Sequence, residues 1–145
     1  MTAHSPSRTR HGLLGLAVRG LTTAGLAVEA VIHLQLAPVY QLAAPSGIGQ
    51  GNLFRVEAAA ALLSAVYVLL RGSRMSYAVA FVVAAGGLAA VLLYRYVDVP
   101  GFGPIPSMYE PLWFTKKAVT AIAETMATLT AVIGLARSWQ SDATG

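Results

Sequence analysis

Long apolar stretches separated by short polar interruptions make up most of this chain, and their lengths match membrane-spanning helices. The clearest stretch, 75–94, holds twenty residues without a charge between Arg74 and Arg95. About 20 apolar residues suffice to cross a bilayer as an α-helix. Three further apolar stretches have helical length, although ionisable residues interrupt each of them. The pattern predicts an all-α fold, a transmembrane four-helix bundle with spans at about 13–36, 54–71, 75–96 and 113–136.

The composition indicates which solvent surrounds these helices. Of the 145 residues, 56% are apolar and 11% are charged, whereas an ordinary soluble domain carries roughly 25% charged residues. A soluble fold needs a polar exterior that this composition cannot supply, so the lipid bilayer is the expected partner and a freely soluble enzyme is excluded. The length suits one domain, which we place at 12–137 between cytoplasmic tails at 1–11 and 138–145.

The distribution of cysteine and charge excludes further classes of function. The chain has no cysteine, which rules out disulfides, thiolate metal sites and thiol catalysis. The net charge is +4, but the ten lysines and arginines are scattered instead of forming a basic stripe. No nucleic-acid partner is therefore expected.

The basic residues instead indicate how the helices are oriented. Six arginines fall on one side of the predicted spans: Arg8, Arg10, Arg19, Arg71, Arg74 and Arg137. Four basic residues fall on the other: Arg55, Arg95, Lys116 and Lys117. The positive-inside rule then predicts cytoplasmic N and C termini, with outer loops at 38–52 and 97–111. The Pro/Gly-rich outer loop between helices 3 and 4 holds four of the seven prolines, so we expect a stiff lid or an ordered cap.

Ionisable residues within the predicted spans are the strongest candidates for function. Glu29 and His33 lie four residues apart on the first helix and therefore share a face. Glu57 lies on the second helix. The fourth helix carries a polar stripe at helical spacing: Lys117, Thr120, Glu124 and Thr128. An isolated charge at membrane depth costs at least about 2.5–3.5 kcal/mol, so such residues are functional candidates with partners.

The helical rise of about 1.5 Å per residue gives the expected depth of these groups. We place the outer membrane edge at Leu36, Phe54, Tyr96 and Trp113. His33 and Glu57 then lie about 5 Å below that edge. Glu29 lies roughly 10 Å below it and Glu124 roughly 16 Å. These depths predict an outward-opening polar pocket with seven binding residues: Glu29, His33, Glu57, Arg95, Glu110, Lys117 and Glu124.

The same residues have a structural alternative. In this alternative, Glu29 and Glu57 pair with two basic side chains, and these ion pairs serve only to hold the four helices together. The basic groups in question are Arg95 and His33. Glu124 needs a cross-helix partner, a proton or a bound cation, because the lysine of its own stripe lies two turns away on the same helix.

A single divalent metal ion is the cofactor that these residues permit. Neutral imidazole and carboxylates suit zinc, manganese or iron, and the predicted ligands are His33, Glu29 and Glu57. The second helical motif that a di-iron bundle requires is missing. A haem with two histidine ligands is not expected in a monomer, because His33 is the only histidine within a span. A symmetric dimer would supply a second histidine.

Three functions remain open at this point. The leading hypothesis is a binding or accessory module for a proton, a cation, a small polar or lipid-like ligand, a larger membrane complex or a second copy. The alternative is an enzyme acting on a lipid, quinone or isoprenoid, with Glu124 or Glu29 as general acid and His33 as base. It predicts an apolar cavity of at least about 300 Å³ beside the carboxylates. The third is a purely structural subunit, whose Ala/Gly-rich stretches 58–61 and 84–90 serve only helix packing.

Two sequence features carry a family resemblance. The first helix contains Arg19 followed by the Glu-xxx-His pair, and the long loop contains Tyr-Glu-Pro-x-Trp at 109–113. In this combination the chain resembles small four-span integral membrane proteins of bacteria. Arg19 also makes it similar to the DoxX-like four-span proteins, which carry an arginine near the start of the first helix. The resemblance implies a multi-pass protein of the bacterial plasma membrane, and it implies no activity and no site residue.

Overall fold

Four long helices account for most of the chain. The computed structural model describes the backbone of residues 6–143 and the side chains of residues 12–140. The helices are α1 (Pro6–Ala43), α2 (Gln50–Arg71), α3 (Arg74–Tyr96) and α4 (Thr115–Ala143). Each is long and apolar enough to cross a membrane. The prediction of an all-helical protein with four helices long and apolar enough to span a membrane is therefore confirmed.

The helices begin and end differently from the predicted spans. Helix α1 continues through Pro38 to Ala43, and α2 already begins at Gln50. The predicted loop at 38–52 is therefore wrong over most of its length, and only residues 44–49 connect the two helices. A proline inside a helix loses one backbone hydrogen bond, but membrane helices tolerate that loss.

The predicted tails are also helical where the structure describes them. Helix α1 begins at Pro6 and α4 continues to Ala143. Residues 1–5 and 144–145 lie outside the described residues.

The helices form a four-membered ring in chain order. Helix α1 packs on α2 and α4, and α3 packs on α4 and less extensively on α2. We call the end of the bundle that carries segments 44–49 and 97–114 the loop end, and the opposite end, with Gly72 and Ser73, the turn end. At the turn end, Gly72 adopts the left-handed conformation that terminates α2. Arg19 Nε donates to the Val68 carbonyl 2.9 Å away, which ties α1 to the end of α2.

Small residues fill the interior of the bundle. The buried alanines are Ala30, Ala37, Ala58, Ala61, Ala65, Ala80, Ala84, Ala123, Ala127 and Ala131. Small side chains let helix backbones approach closely, which is how membrane helices associate without a hydrophobic driving force between them. Large apolar side chains point outward instead, as for Leu63 and Ile122, which are 71% and 68% exposed. Such a surface is suited to lipid.

A buried polar contact joins α1 to α4 near the middle of the bundle. The Thr22 hydroxyl donates to the Thr130 hydroxyl 2.8 Å away, and the Thr130 hydroxyl donates to the Met126 carbonyl. Hydrogen bonds between membrane helices contribute about 0.6 kcal/mol on average. The pair therefore holds α1 and α4 together below the candidate site.

Candidate functional site

The segment 97–114 forms a roof over the loop end. Phe102 and Ile105 exchange backbone hydrogen bonds of 2.9 and 3.0 Å. The Ile48 amide donates to the Pro104 carbonyl at 2.9 Å, and the Glu110 amide donates to the Tyr94 carbonyl at 3.0 Å. Since its prolines also fix the backbone, this segment is an ordered structure attached to two neighbouring parts of the bundle.

Side chains add further attachments on the inner side of the roof. Tyr40 donates its hydroxyl proton to Glu110 Oε2 at 3.3 Å. Lys117 is buried, and its ammonium group donates to the backbone carbonyl of Glu110. Arg95 lies over the rings of Tyr96 and Trp113, with its guanidinium carbon 4.9 and 5.8 Å from the ring centres. The roof is thus anchored to α1, α3 and α4.

A cavity of about 380 Å³ lies beneath this roof. Its walls are largely apolar, with Leu36, Leu53, Phe54, Val91, Met108 and Phe114 among the lining residues. Its polar lining comes from His33, Gln50, Glu57, Glu110, Lys117 and Thr120. An apolar cavity of this size with a few convergent polar groups is typical of small-molecule sites in proteins.

Several lining residues on the α2 and α3 side of the cavity are exposed. The buried residues of α3 end at Gly87, and no residue from 88 to 96 is buried. Val56, Gly86 and Ala90 line the cavity and are also exposed on the outer face of the bundle. One side of the cavity is therefore bounded by residues that also belong to the apolar outer face of the bundle.

Three carboxyl groups from three helices converge at the floor of the cavity. They surround Gly87 of α3, which has no side chain. An ideal Cβ atom built on that glycine would lie 2.7 Å from Glu124 Oε1, 3.1 Å from Glu29 Oε1 and 3.2 Å from Glu57 Oε1. The missing side chain of Gly87 therefore leaves the space into which the three carboxyl groups point.

The burial of this cluster is extreme for ionisable groups. Glu29 and Glu124 are both 0% exposed. Apart from the neighbouring carboxyl groups, such as Glu57 for Glu29, none of their four carboxyl oxygens has a hydrogen-bond partner among the described residues. One oxygen of Glu57 and the Thr120 hydroxyl are likewise buried without a partner. Three ionised carboxylates cannot remain this close in a medium of low dielectric constant, so the cluster requires shared protons or a cation.

His33 completes the cluster from the same helix face as Glu29. Its Nδ1 lies 3.0 Å from the Glu29 backbone carbonyl. Since a carbonyl oxygen only accepts, Nδ1 carries the proton, and in the neutral ring Nε2 keeps a free lone pair. The ring packs edge-on against Phe54 with 5.1 Å between ring centres. His33 is thus held in one orientation with a basic nitrogen available.

The structure brings four of the seven predicted site residues together at the floor and places the other three nearer the roof. Glu29, His33, Glu57 and Glu124 meet at the floor. The other three behave differently: Glu110 and Lys117 line the cavity under the roof, and Arg95 does not line it. Arg95 therefore does not lock the helices through Glu29, whose oxygens have no basic partner within the part of the chain that the structure describes.

The geometry of the floor bears on two expectations. The predicted depths place Glu29, Glu57 and Glu124 at different levels, whereas all three reach the same glycine. The stretch 84–90 also does more than pack helices, because Gly87 forms part of the floor. The sequence offers one signal for it, a Gly-Gly pair in the middle of a charge-free span.

Comparison with known protein families, curated proteins and solved structures finds no match for this chain. The geometry of the site therefore carries the functional argument.

Proposed function

We propose that this multi-pass membrane protein is a binding protein for a small amphipathic molecule, which occupies the cavity beneath the roof. The observation that carries the proposal is the 380 Å³ cavity with largely apolar walls and a carboxyl and imidazole cluster at its floor. An apolar ligand body suits the walls, and a polar group on the ligand suits Glu57 and His33. Entry between α2 and α3, where lining residues are exposed, would give a lipid-soluble molecule a route from the bilayer.

Cavity-filling substitution tests the proposal directly. Ala90 lines the cavity, whereas its neighbour Ala89 is exposed and does not. We expect Ala90→Phe to obstruct the cavity and Ala89→Phe to leave it open. Both substitutions add the same apolar side chain, so a difference in binding reports the obstruction of the cavity. The probes are farnesol, an isoprenoid alcohol, and ubiquinone-1, a short-chain quinone. The measurement is binding to the purified protein by native mass spectrometry, together with the mass of any compound that copurifies.

The expected result is a bound probe or copurified compound in the wild type and in Ala89→Phe, and its loss in Ala90→Phe. Equal occupancy in both variants would show that the ligand lies elsewhere. A wild type that neither retains nor binds an amphipathic compound would contradict the proposal.

We further propose that the loop end faces the outside of a bacterial plasma membrane and that both termini are cytoplasmic. The excess of arginine at the turn end and near the termini supports this orientation. Because the chain has no native cysteine, single cysteines report the topology cleanly. A membrane-impermeant maleimide should label Ser107→Cys in intact cells and Gln140→Cys only after lysis. The reverse labelling pattern would show that the orientation is opposite to the one proposed.

A membrane enzyme acting on a lipid, quinone or isoprenoid is a second candidate, and one observation favours it. His33 and Glu57 line the same cavity, one with a free basic nitrogen and the other with a carboxyl group. That pair suits proton transfer to and from a bound ligand. Recovery of one unchanged compound from both the wild type and Glu57→Gln indicates binding alone, whereas a product found only with the wild type indicates catalysis.

A further inference from the structure

We infer that the floor of the cavity is a binding site for one divalent transition-metal ion, held by Glu29, His33 and Glu124 with Glu57 at its edge. A carboxylate oxygen from each of the two glutamates and a ring nitrogen of the histidine lie within 4.8 Å of one another. The site does not depend on which molecule, if any, occupies the cavity above it.

The burial of the ligands is the independent observation that points to an ion. Glu29 and Glu124 are completely buried and aim into the cluster. Apart from the other carboxyl groups of the cluster, they have no hydrogen-bond partner among the described residues. A carboxyl group kept in the membrane only for packing is normally satisfied by a donor from another helix. Here the unsatisfied oxygens come from α1 and α4 and face one another, as ligands of a shared cation do.

The charges of the site balance for a divalent ion. Two carboxylates and a neutral imidazole around such an ion give a centre without net charge, which minimises the cost of burial. The third carboxyl group, Glu57, is then free to carry a proton or to become a fourth ligand. The three ligand atoms lie within 4.8 Å of one another. Small side-chain rotations would bring each of them to about 2.0–2.2 Å from a central ion, the distance typical of zinc sites.

The orientation of His33 also suits a metal ligand. Metal-binding histidines usually donate their second ring N–H to a carboxylate or a backbone carbonyl, which fixes the ring and raises its basicity. Nδ1 of His33 makes this contact with the Glu29 carbonyl at 3.0 Å. This contact leaves Nε2 as the ring nitrogen with a lone pair for an ion. Imidazole with carboxylates and no thiolate favours Mn²⁺, Fe²⁺ or Zn²⁺ over Ca²⁺ or Cu⁺.

The test is metal binding by the full-length protein purified in mild detergent and stripped with EDTA. Equilibrium dialysis against Mn²⁺ or Zn²⁺, with the bound ion measured by mass spectrometry, is carried out on the wild type, His33→Gln and Glu124→Gln. Asp98→Asn is the matched control, because this carboxylate is exposed and lies outside both the cavity and the cluster. We expect one ion per chain in the wild type and the control, and at least a tenfold lower affinity in the other two variants.

The proposal is overturned if the wild type binds no ion, which would mean that protons alone neutralise the cluster. It is also overturned if all four proteins bind with equal affinity. Because a buried substitution can prevent folding, Co²⁺ provides a second readout on the unmodified chain. The expected result is a visible ligand-field absorption that EDTA removes, and addition of Co²⁺ without any such band contradicts the proposal.

Discussion

Replacing Gly87 with alanine is expected to disperse the carboxyl cluster while the bundle remains folded. The new Cβ would lie 2.7 Å from Glu124 Oε1, a separation below 3.0 Å that real Cβ atoms essentially never show. The carboxyl group sits at the end of a flexible side chain, so it moves away and the backbone does not. Alanine is also a better helix former than glycine by about 1 kcal/mol, so α3 itself is not weakened.

The expected effect of Gly87→Ala is a loss of metal affinity of about 10–100-fold, the size usual for perturbing the surroundings of metal ligands. The adjacent Gly86→Ala is the matched control, because a Cβ at Gly86 meets nothing within 4 Å. Both variants receive the same helix-propensity gain, so a difference between them reports the cluster alone. Equal Mn²⁺ affinities in Gly86→Ala and Gly87→Ala would contradict the claim that the three carboxyl groups converge at Gly87.

The roof gives the site its preorganisation. Backbone bonds from Ile48 and to Tyr94, together with the side chains of Tyr40 and Lys117, hold segment 97–114 in place. A loop attached at several points loses little further conformational entropy when a ligand binds beneath it, which favours affinity. A lipid-soluble ligand that enters between α2 and α3, as we propose, needs no movement of the roof.

The hydropathy pattern predicts the fold well and the ends of its helices poorly. An uncharged stretch such as 75–94 allows no soluble alternative, so the number and type of helices follow from length and composition. The end of α1 does not follow from them. Pro38 and the polar Gln41 are typical of a loop in sequence, but the helix continues because α1 packs against α2, where Ala37 is buried beside Gly51.

The candidate site is only partly predictable for a similar reason. The spacing of Glu29 and His33 places them on one face whatever the bundle looks like. Which residues of the other helices meet them depends on how each helix is rotated and shifted along its axis. The charge-free helix α3 carries no polar face to indicate its rotation, so the role of Gly87 becomes evident only from the packed structure.

A strong energetic coupling between Glu29 and Glu124 is the second large effect that the structure predicts. In the metal-free protein, replacing either residue with glutamine relieves the crowding of carboxyl groups around Gly87. The second replacement then has less to relieve, so the two changes in the free energy of unfolding should not add. Groups in direct interaction typically show non-additivity of about 0.5–3 kcal/mol, whereas distant groups add within about 0.3–0.5 kcal/mol.

The central claim, that carboxyl groups of different helices share one buried site, is tested most directly by this double-mutant cycle. The free energy of unfolding is measured in mixed micelles, with chelator present, for the wild type, Glu29→Gln, Glu124→Gln and the double variant. A second cycle pairs Glu124→Gln with Glu110→Gln in the roof. The predicted result is a coupling above about 0.5 kcal/mol in the first cycle and additivity in the second, and additivity in both cycles would contradict the shared site.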